Sequence, residues 1–140
     1  MALSRNQEHY VIMTVIYNEL TDFIYGDKAN VRDAEELIKG VSLSQYGEEY
    51  VSEYSKNTVF ISLSKYGEIV KEYEPYLKGW KWDRIPALTR AILLMSYSHF
   101  YYVEKVDKRI IINIAVNLAK LYVDEKQAKF VNGLLDGVLK

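Results

Sequence analysis

The chain has 140 residues, of which 49% are hydrophobic and 26% charged, with a net charge of −1 and no cysteine. This composition is typical of one globular domain with a buried core, and it excludes disulfides, thiolate metal sites and thiol catalysis. No apolar run approaches the roughly 18 residues of a membrane span. The N-terminus also lacks the pattern of a secretory signal, so we expect a cytoplasmic protein.

The charges are distributed unevenly along the chain. Residues 1–79 contain 8 Lys and Arg against 13 Asp and Glu, whereas residues 80–140 contain 10 against 6. The C-terminal half is therefore the better candidate for a surface that binds a polyanion. An excess of positive charge spread over several helices would instead be an ordinary solvated surface.

The spacing of apolar residues predicts helices along nearly the whole chain. Ser4 and Gln7 have the spacing of a capping box and begin a predicted helix that ends near Leu20. The elements predicted next are a loop over 25–28, a short helix over 33–38 that ends at Gly40, and a helix over 44–54.

Residues that start helices recur in the second half of the chain. Proline suits the first turn of a helix, where its missing N–H removes no hydrogen bond, and aspartate caps free N–H groups. The predicted helices run from Asn57 to about Leu77, from Pro86 to about Tyr102, and from Asp107 and Asp124 onward. The predicted fold class is all-α, with about seven helices.

The residues needed for catalysis are scarce. His9 and His99 are the only histidines and lie on different predicted helices, without the spacing of a metal site. Adjacent acidic residues such as Glu48 and Glu49 point about 100° apart on a helix and do not converge on one reacting atom. Phosphate-binding glycine loops and nucleophile motifs are absent from the sequence. We therefore expect no enzyme, no metal and no cofactor.

Phe130 lies at the edge of the apolar stripe of the last predicted helix, beside Lys126 and Lys129. An aromatic ring next to lysines can stack on an unpaired base while the lysines bind phosphate. An aromatic residue at the edge of a stripe can equally complete a hydrophobic core. The spacing alone leaves both interpretations open.

Three segments of the C-terminal half are similar to signatures of one known family. Residues 80–85, Trp-Lys-Trp-Asp-Arg-Ile, resemble a tryptophan followed by Asp-Arg-Leu. Residues 113–120 resemble an Asn-Glu-Ala-x-x-x-Ala-Lys helix. Residues 129–136, Lys-Phe-Val-Asn-Gly-Leu-Leu-Asp, match Lys-Phe-Val-Asn-Gly-x-Leu-Asp at every defined position. The family with these signatures is that of the NusB transcription antitermination factors, which the chain resembles over its whole length.

This resemblance implies one NusB-like domain with two small helical subdomains, at 1–79 and 80–140. It implies binding of single-stranded boxA-type RNA without catalysis. The implied partner is the small-subunit ribosomal protein NusE, and the implied setting is the RNA polymerase antitermination complex that supports rRNA transcription in the bacterial cytoplasm.

The resemblance also assigns site residues. Lys126 joins the RNA-binding set because it flanks Phe130. The predicted RNA-binding residues are Arg5, His9, Tyr17, Lys126, Lys129 and Phe130. The predicted partner-binding residues are Arg84, Thr89 and Arg90.

The chain departs from the family pattern at several positions. The first helix, which is rich in arginine in the family, retains Arg5 alone. Ile114 replaces a glutamate, and Leu94 and His99 replace an arginine and a glutamate. Fewer cations mean fewer phosphate contacts. The alternative function is therefore a NusB-fold interaction module that has lost RNA binding and self-associates as a homodimer. A third hypothesis, an accessory domain of an RNA methyltransferase, is disfavoured because the 140 residues contain no catalytic domain.

Overall fold

The computed structural model describes residues 2–22 and 31–140, and the predicted loop over 25–28 lies outside them. The described residues form α-helices and short helical turns without a strand, which confirms the all-α prediction. None of the described helices is long and apolar enough to cross a membrane. The helices are α1 (Arg5–Asp22), α2 (Val31–Tyr46), α3 (Glu53–Ser64), α4 (Tyr66–Tyr73), α5 (Ala87–Ser98), α6 (Lys108–Tyr122) and α7 (Glu125–Val138).

Three of the predicted helix starts are confirmed by their capping bonds. The Ser4 N–H donates to Gln7 Oε1 at 2.8 Å, and the Gln7 N–H donates to Ser4 Oγ at 3.2 Å. Asp107 accepts from the Arg109 N–H at the start of α6, and Asp124 caps α7 in the same way. These starts were predictable because a cap involves only neighbouring residues.

The predicted helices over 33–38 and 44–54 are both wrong in extent. α2 continues through Gly40, because a glycine inside a helix costs only about 1 kcal/mol relative to alanine and packing outweighs it. The helix ends before Gly47, whose φ of 80° suits glycine. The side chain of Ser42 then fixes the loop, since it donates to the Glu48 carbonyl.

The next two predicted helices are interrupted by turns. Ser52, rather than Asn57, caps α3 in a capping box with Ser55. The predicted helix as far as Leu77 breaks at Lys65 and ends in a 3₁₀ turn at Glu74–Tyr76. In the same way, α5 ends at Ser98 and continues as one π-helical turn, His99–Val103.

The buried apolar side chains form one continuous core. α5 lies at its centre, where every residue from Ala91 to Ser98 is buried and where α1, α3 and α6 all pack against it. α7 packs mainly on α6. The division into subdomains at 79/80 remains a prediction, and α1 and α5, from the two proposed halves, are in direct contact.

A polar network connects α1, α3 and the π-helical turn. The Arg5 guanidinium donates two bonds to Glu104, at 3.0 and 3.2 Å, and lies 3.8 Å from the centre of the Tyr54 ring. His99 Nε2 is 2.9 Å from Glu104, and its Nδ1 is 3.2 Å from the Tyr54 hydroxyl. The Arg5 hydrogen bonds hold the pKa of Glu104 below its ordinary value. Arg5 thus joins the N-terminus of α1 to the residue that ends the π-helical turn.

His9 lies beside this network, but its Nε2 atom takes no part in the hydrogen bonds of the network. Its side chain is buried, Nε2 has no partner among the described residues, and its ring meets the Tyr54 ring edge to face. Burial, followed by the positive charges of His99 and Arg5, lowers the pKa of His9 to about 4. His9 is therefore neutral at physiological pH.

The protein should lose stability as the pH falls from about 6.5 to about 4. In this range His9 is protonated in the unfolded chain but stays neutral in the folded protein. The free energy of unfolding contributed by His9 is present above this range. In urea unfolding, the stability of His9→Leu relative to wild type should rise by about 2–3 kcal/mol between about pH 7.5 and about pH 4.5. Parallel pH profiles for the two proteins would contradict this assignment.

Candidate nucleic-acid interface

Phe130 both contacts the core and lines a groove. On α7, Val131, Leu134 and Leu135 are buried, and Phe130 is partly buried against the edge of the same core. The remaining face of the ring borders a groove of about 240 Å³. We call this the Trp80–Phe130 groove. It is lined by Trp80, Arg84, Ile85, Pro86, Lys126, Gln127 and Phe130.

The segment before α5 holds its two tryptophans in opposite environments. Trp82 is 5% exposed, stacks on Tyr73 with ring centres 5.6 Å apart, and donates from Nε1 to the Tyr66 hydroxyl at 2.9 Å. Trp80 is 68% exposed, the highest value for an aromatic side chain among the large exposed hydrophobic residues of the described part of the chain. Trp82 anchors the segment and Trp80 is presented at the surface.

The turn before Trp80 requires unusual backbone angles. Lys78 has a φ of 51° and Gly79 a φ of 91°, and the Trp80 N–H donates to the Leu77 carbonyl at 3.1 Å. Glycine adopts positive φ without steric cost, so Gly79 suits this turn. The backbone therefore reverses direction immediately before the exposed indole.

The cations near Phe130 form no ion pair among the described residues. Arg84 and Lys126 line the groove, whereas Lys129 precedes Phe130 on α7 without lining it, and all three are exposed. None of them forms a salt bridge within residues 2–22 and 31–140. Unpaired cations beside an open aromatic surface can bind phosphate without first breaking an internal bond. The structure thus brings together Lys126, Phe130 and Arg84 at one groove.

The other two predicted partner-binding residues have structural roles. Thr89 is fully buried, and its hydroxyl donates to Gln127 Oε1 at 2.9 Å. Arg90 is partly buried, and its Nε donates to the Ile85 carbonyl at 2.9 Å. Both residues hold the walls of the Trp80–Phe130 groove in place. Their predicted contacts with a partner remain untested, but only Arg84 of the three is exposed.

The predicted RNA-binding residues of α1 do not line this groove. Arg5 is engaged by Glu104 and Tyr54, so a phosphate would have to compete with both. His9 is buried and neutral, which argues against a direct phosphate contact. Tyr17 is partly buried and packs against the core.

A second, larger groove of about 670 Å³ lies between α1 and α6. Its surface combines neutral amides with exposed apolar side chains, among them Ile110, which is 50% exposed, and Leu121, which is 72% exposed. The sequence did not predict a groove here, although His9, one of the predicted RNA-binding residues, lies in its lining. The lining also includes Asn6, Gln7, Tyr46, Asn113, Ile114, Asn117, Leu118, Lys120 and Tyr122.

Sequence reasoning also missed the roles of Trp80 and Gln127. The alternation Trp-Lys-Trp was the available signal, but residues two apart in an extended segment share a face, and the 3₁₀ turn that begins at Trp82 breaks that pattern. It could not show which tryptophan would be buried.

Within the described residues, no three His, Cys, Asp or Glu side chains cluster as metal ligands would.

Comparison with known sequences places the chain in a family. The model of the NusB family matches residues 16–140. The transcription antitermination protein NusB of Finegoldia magna is 33% identical over 138 residues, covering 99% of this chain and 95% of its own. The same protein of Halalkalibacterium halodurans is 33% identical over 99 residues, covering 71% of this chain and 73% of its own. These similarities agree with the prediction that the chain is not an enzyme.

Solved structures have the same fold. A chain in the crystal structure of a plectonemic RNA supercoil has a TM-score of 0.77 at 26% identity, covering 96% of this chain and 94% of its own. A chain in the crystal structure of the antitermination factors NusB and NusE with dsRNA has a TM-score of 0.76 at 24% identity, covering 96% and 95%. Family model, sequence relatives and fold agree, and the chain belongs to the NusB family.

Proposed function

We propose that this NusB-family chain binds boxA-type single-stranded RNA, together with the small-subunit ribosomal protein NusE. The setting would be the bacterial cytoplasm, in RNA polymerase antitermination complexes that support rRNA transcription. The observation that carries the proposal is a partly exposed aromatic ring, Phe130, flanked by the unpaired cations Lys126 and Lys129.

This arrangement meets the physical needs of single-stranded RNA binding. An unpaired base gains about 1–3 kcal/mol by stacking on an aromatic side chain. Lysines on the same helix then neutralise the phosphates on either side of that base. Since α7 is capped by Asp124 and buries Val131 and Leu135, it presents these groups on a rigid element.

The NusE and RNA partners are supported by a structural neighbour. The crystal structure that contains NusB and NusE with dsRNA has the fold of this chain. At 24% identity that likeness shows the fold alone, so both partners are part of the proposal. Arg84 is exposed and lines the Trp80–Phe130 groove. A protein partner that contacts Arg84 would therefore lie next to RNA bound in the groove.

Self-association is the second candidate, and the α1–α6 groove favours it. Ile110, Leu121 and Tyr122 expose apolar surface there, and clustered apolar surface of this kind often marks a protein interface. This candidate does not require RNA.

Phe130→Ala should raise the Kd for a labelled boxA RNA roughly tenfold, as the loss of one stacked base predicts. The Kd is measured by fluorescence anisotropy at a fixed salt concentration. Phe60→Ala, which truncates another partly buried phenylalanine at the edge of the core, is the matched control and should leave the Kd unchanged. Equal losses in the two variants would mean that Phe130 acts only through stability.

The salt dependence of binding should depend on the α7 lysines. Replacing both Lys126 and Lys129 with Gln should reduce the slope of log K against log salt by about 1.4, since each single-stranded phosphate contact contributes about 0.7. Lys56→Gln is the control, because Lys56 already pairs with Glu53 and Glu35. An unchanged slope in the double variant would exclude phosphate contacts by these lysines.

Leu121→Lys distinguishes self-association from RNA binding. If the α1–α6 groove joins two copies, sedimentation velocity should show a dimer for wild type and a monomer for the variant, because a buried lysine without a partner is costly. Phe130→Ala should leave that dimer intact. A wild-type monomer at all concentrations tested would remove this candidate.

A further inference from the structure

We propose that the Trp80–Phe130 groove is a subsite for one unpaired nucleobase, held by the Trp80 indole as well as by the Phe130 ring. This inference rests on the proposed function, since it takes RNA as the ligand. It adds Trp80 as a second stacking residue and identifies where in the site a single base would be accommodated.

The exposure of Trp80 is the first observation behind this subsite. Its indole leaves 68% of its surface in water, although the same segment buries Trp82 almost completely. A large aromatic side chain that stays exposed gives up the stabilisation that burial would bring. Because Trp80 shares a concave surface with a second aromatic ring, its exposure is better explained by a ligand than by folding.

Both walls of the groove are rigid before any ligand binds. On one side, the Trp82–Tyr73 stack and the hydrogen bond from Arg90 Nε to the Ile85 carbonyl fix the segment that follows Trp80. On the other side, Thr89 holds Gln127 on the first turn of α7. A ligand that enters such a groove loses little affinity to the ordering of the protein.

The size of the groove suits a single ring system. Its volume is about 240 Å³, below the roughly 300–1,000 Å³ of pockets that enclose a whole drug-sized ligand. The apolar side chains of Ile85 and Pro86 complete a surface suited to the face of a base.

Polar groups at the groove match a nucleotide better than a peptide. Arg84 and Lys126 provide two cations for the phosphates that flank the base. Since Gln127 Oε1 accepts from Thr89, its Nε2 group is oriented to donate. An amide donor can bond an acceptor on the edge of a base, which is how proteins read single-stranded RNA.

The main test compares Trp80→Ala and Trp80→Phe by anisotropy with labelled boxA RNA and the protein alone. Trp80→Ala should raise the Kd roughly tenfold, and Trp80→Phe should retain most of the affinity because it keeps an aromatic face. Leu121→Ala is the control, since Leu121 is about as exposed as Trp80 but lines the α1–α6 groove. Thermal melting checks that the variants are folded.

A double variant tests whether the two rings hold the same base. If they do, Trp80→Ala combined with Phe130→Ala should weaken binding little more than the stronger single change. Losses that multiply would mean two separate bases and would overturn the shared subsite.

Intrinsic fluorescence provides an independent readout. The chain has two tryptophans, and only Trp80 is exposed. BoxA RNA should quench wild-type emission, whereas Trp80→Phe, which retains the buried Trp82, should show little quenching. RNA that carries 5-bromouridine should crosslink to Trp80 on irradiation, and a crosslink elsewhere with none at Trp80 would count against the subsite.

The outcomes separate this inference from the proposed function. Wild-type protein that binds no RNA, even with NusE, would overturn the proposed function. RNA binding that Phe130→Ala weakens and Trp80→Ala leaves unchanged would overturn the subsite alone. If Trp80→Ala weakened only the association with NusE, the groove would be a protein interface and the nucleobase assignment would be wrong.

Discussion

The insertion of Trp82 into the core determines the geometry of the candidate site. Its indole stacks on Tyr73 and bonds the Tyr66 hydroxyl, which ties the segment before α5 to α4. Because Trp82 is buried in the core and the chain reverses direction at Gly79, the Trp80 side chain lies at the surface. α7 forms the other wall, since burial of Val131 and Leu135 leaves Phe130 at the core edge. One stacked pair therefore positions the groove at which α7 presents Phe130 and Lys126.

The positive charge of Arg5 is used within the fold. In the family resemblance, the start of the first helix is rich in arginine, and here the single arginine is bound by Glu104 and covers Tyr54. His99, which stands where the family has a glutamate, completes that network through Glu104. Leu94, which replaces the arginine, is fully buried and leaves no orphaned charge. The first turn of α1 is thus committed to packing, whereas Arg84 and Lys126, the cations that line the Trp80–Phe130 groove, belong to the C-terminal half.

Local rules predicted the features that depend on neighbouring residues. The caps at Ser4, Asp107 and Asp124 could be predicted because each bond spans three residues or fewer. The extent of α2 could not be predicted in this way, because packing keeps Gly40 helical although glycine has a low helix propensity. The same limit applies to the site. The signature around Phe130 singled it out, but the burial of Thr89 and the exposure of Trp80 depend on contacts between distant segments, which periodicity does not contain.

The two grooves differ in a way that bears on function. The α1–α6 groove is lined mainly by amides and apolar side chains, with His9, Tyr46, Tyr122 and one cation, Lys120. The smaller Trp80–Phe130 groove combines two aromatic residues with two cations, Arg84 and Lys126. Because RNA requires both stacking surfaces and cations, the second groove, with more cations in a smaller volume, suits it better. A homodimer interface is more apolar than the rest of a protein surface, and the first groove offers exposed apolar side chains. The proposed RNA binding and the proposed self-association therefore involve different residues, and a first helix with Arg5 as its single arginine leaves the aromatic centre of the proposed RNA site intact.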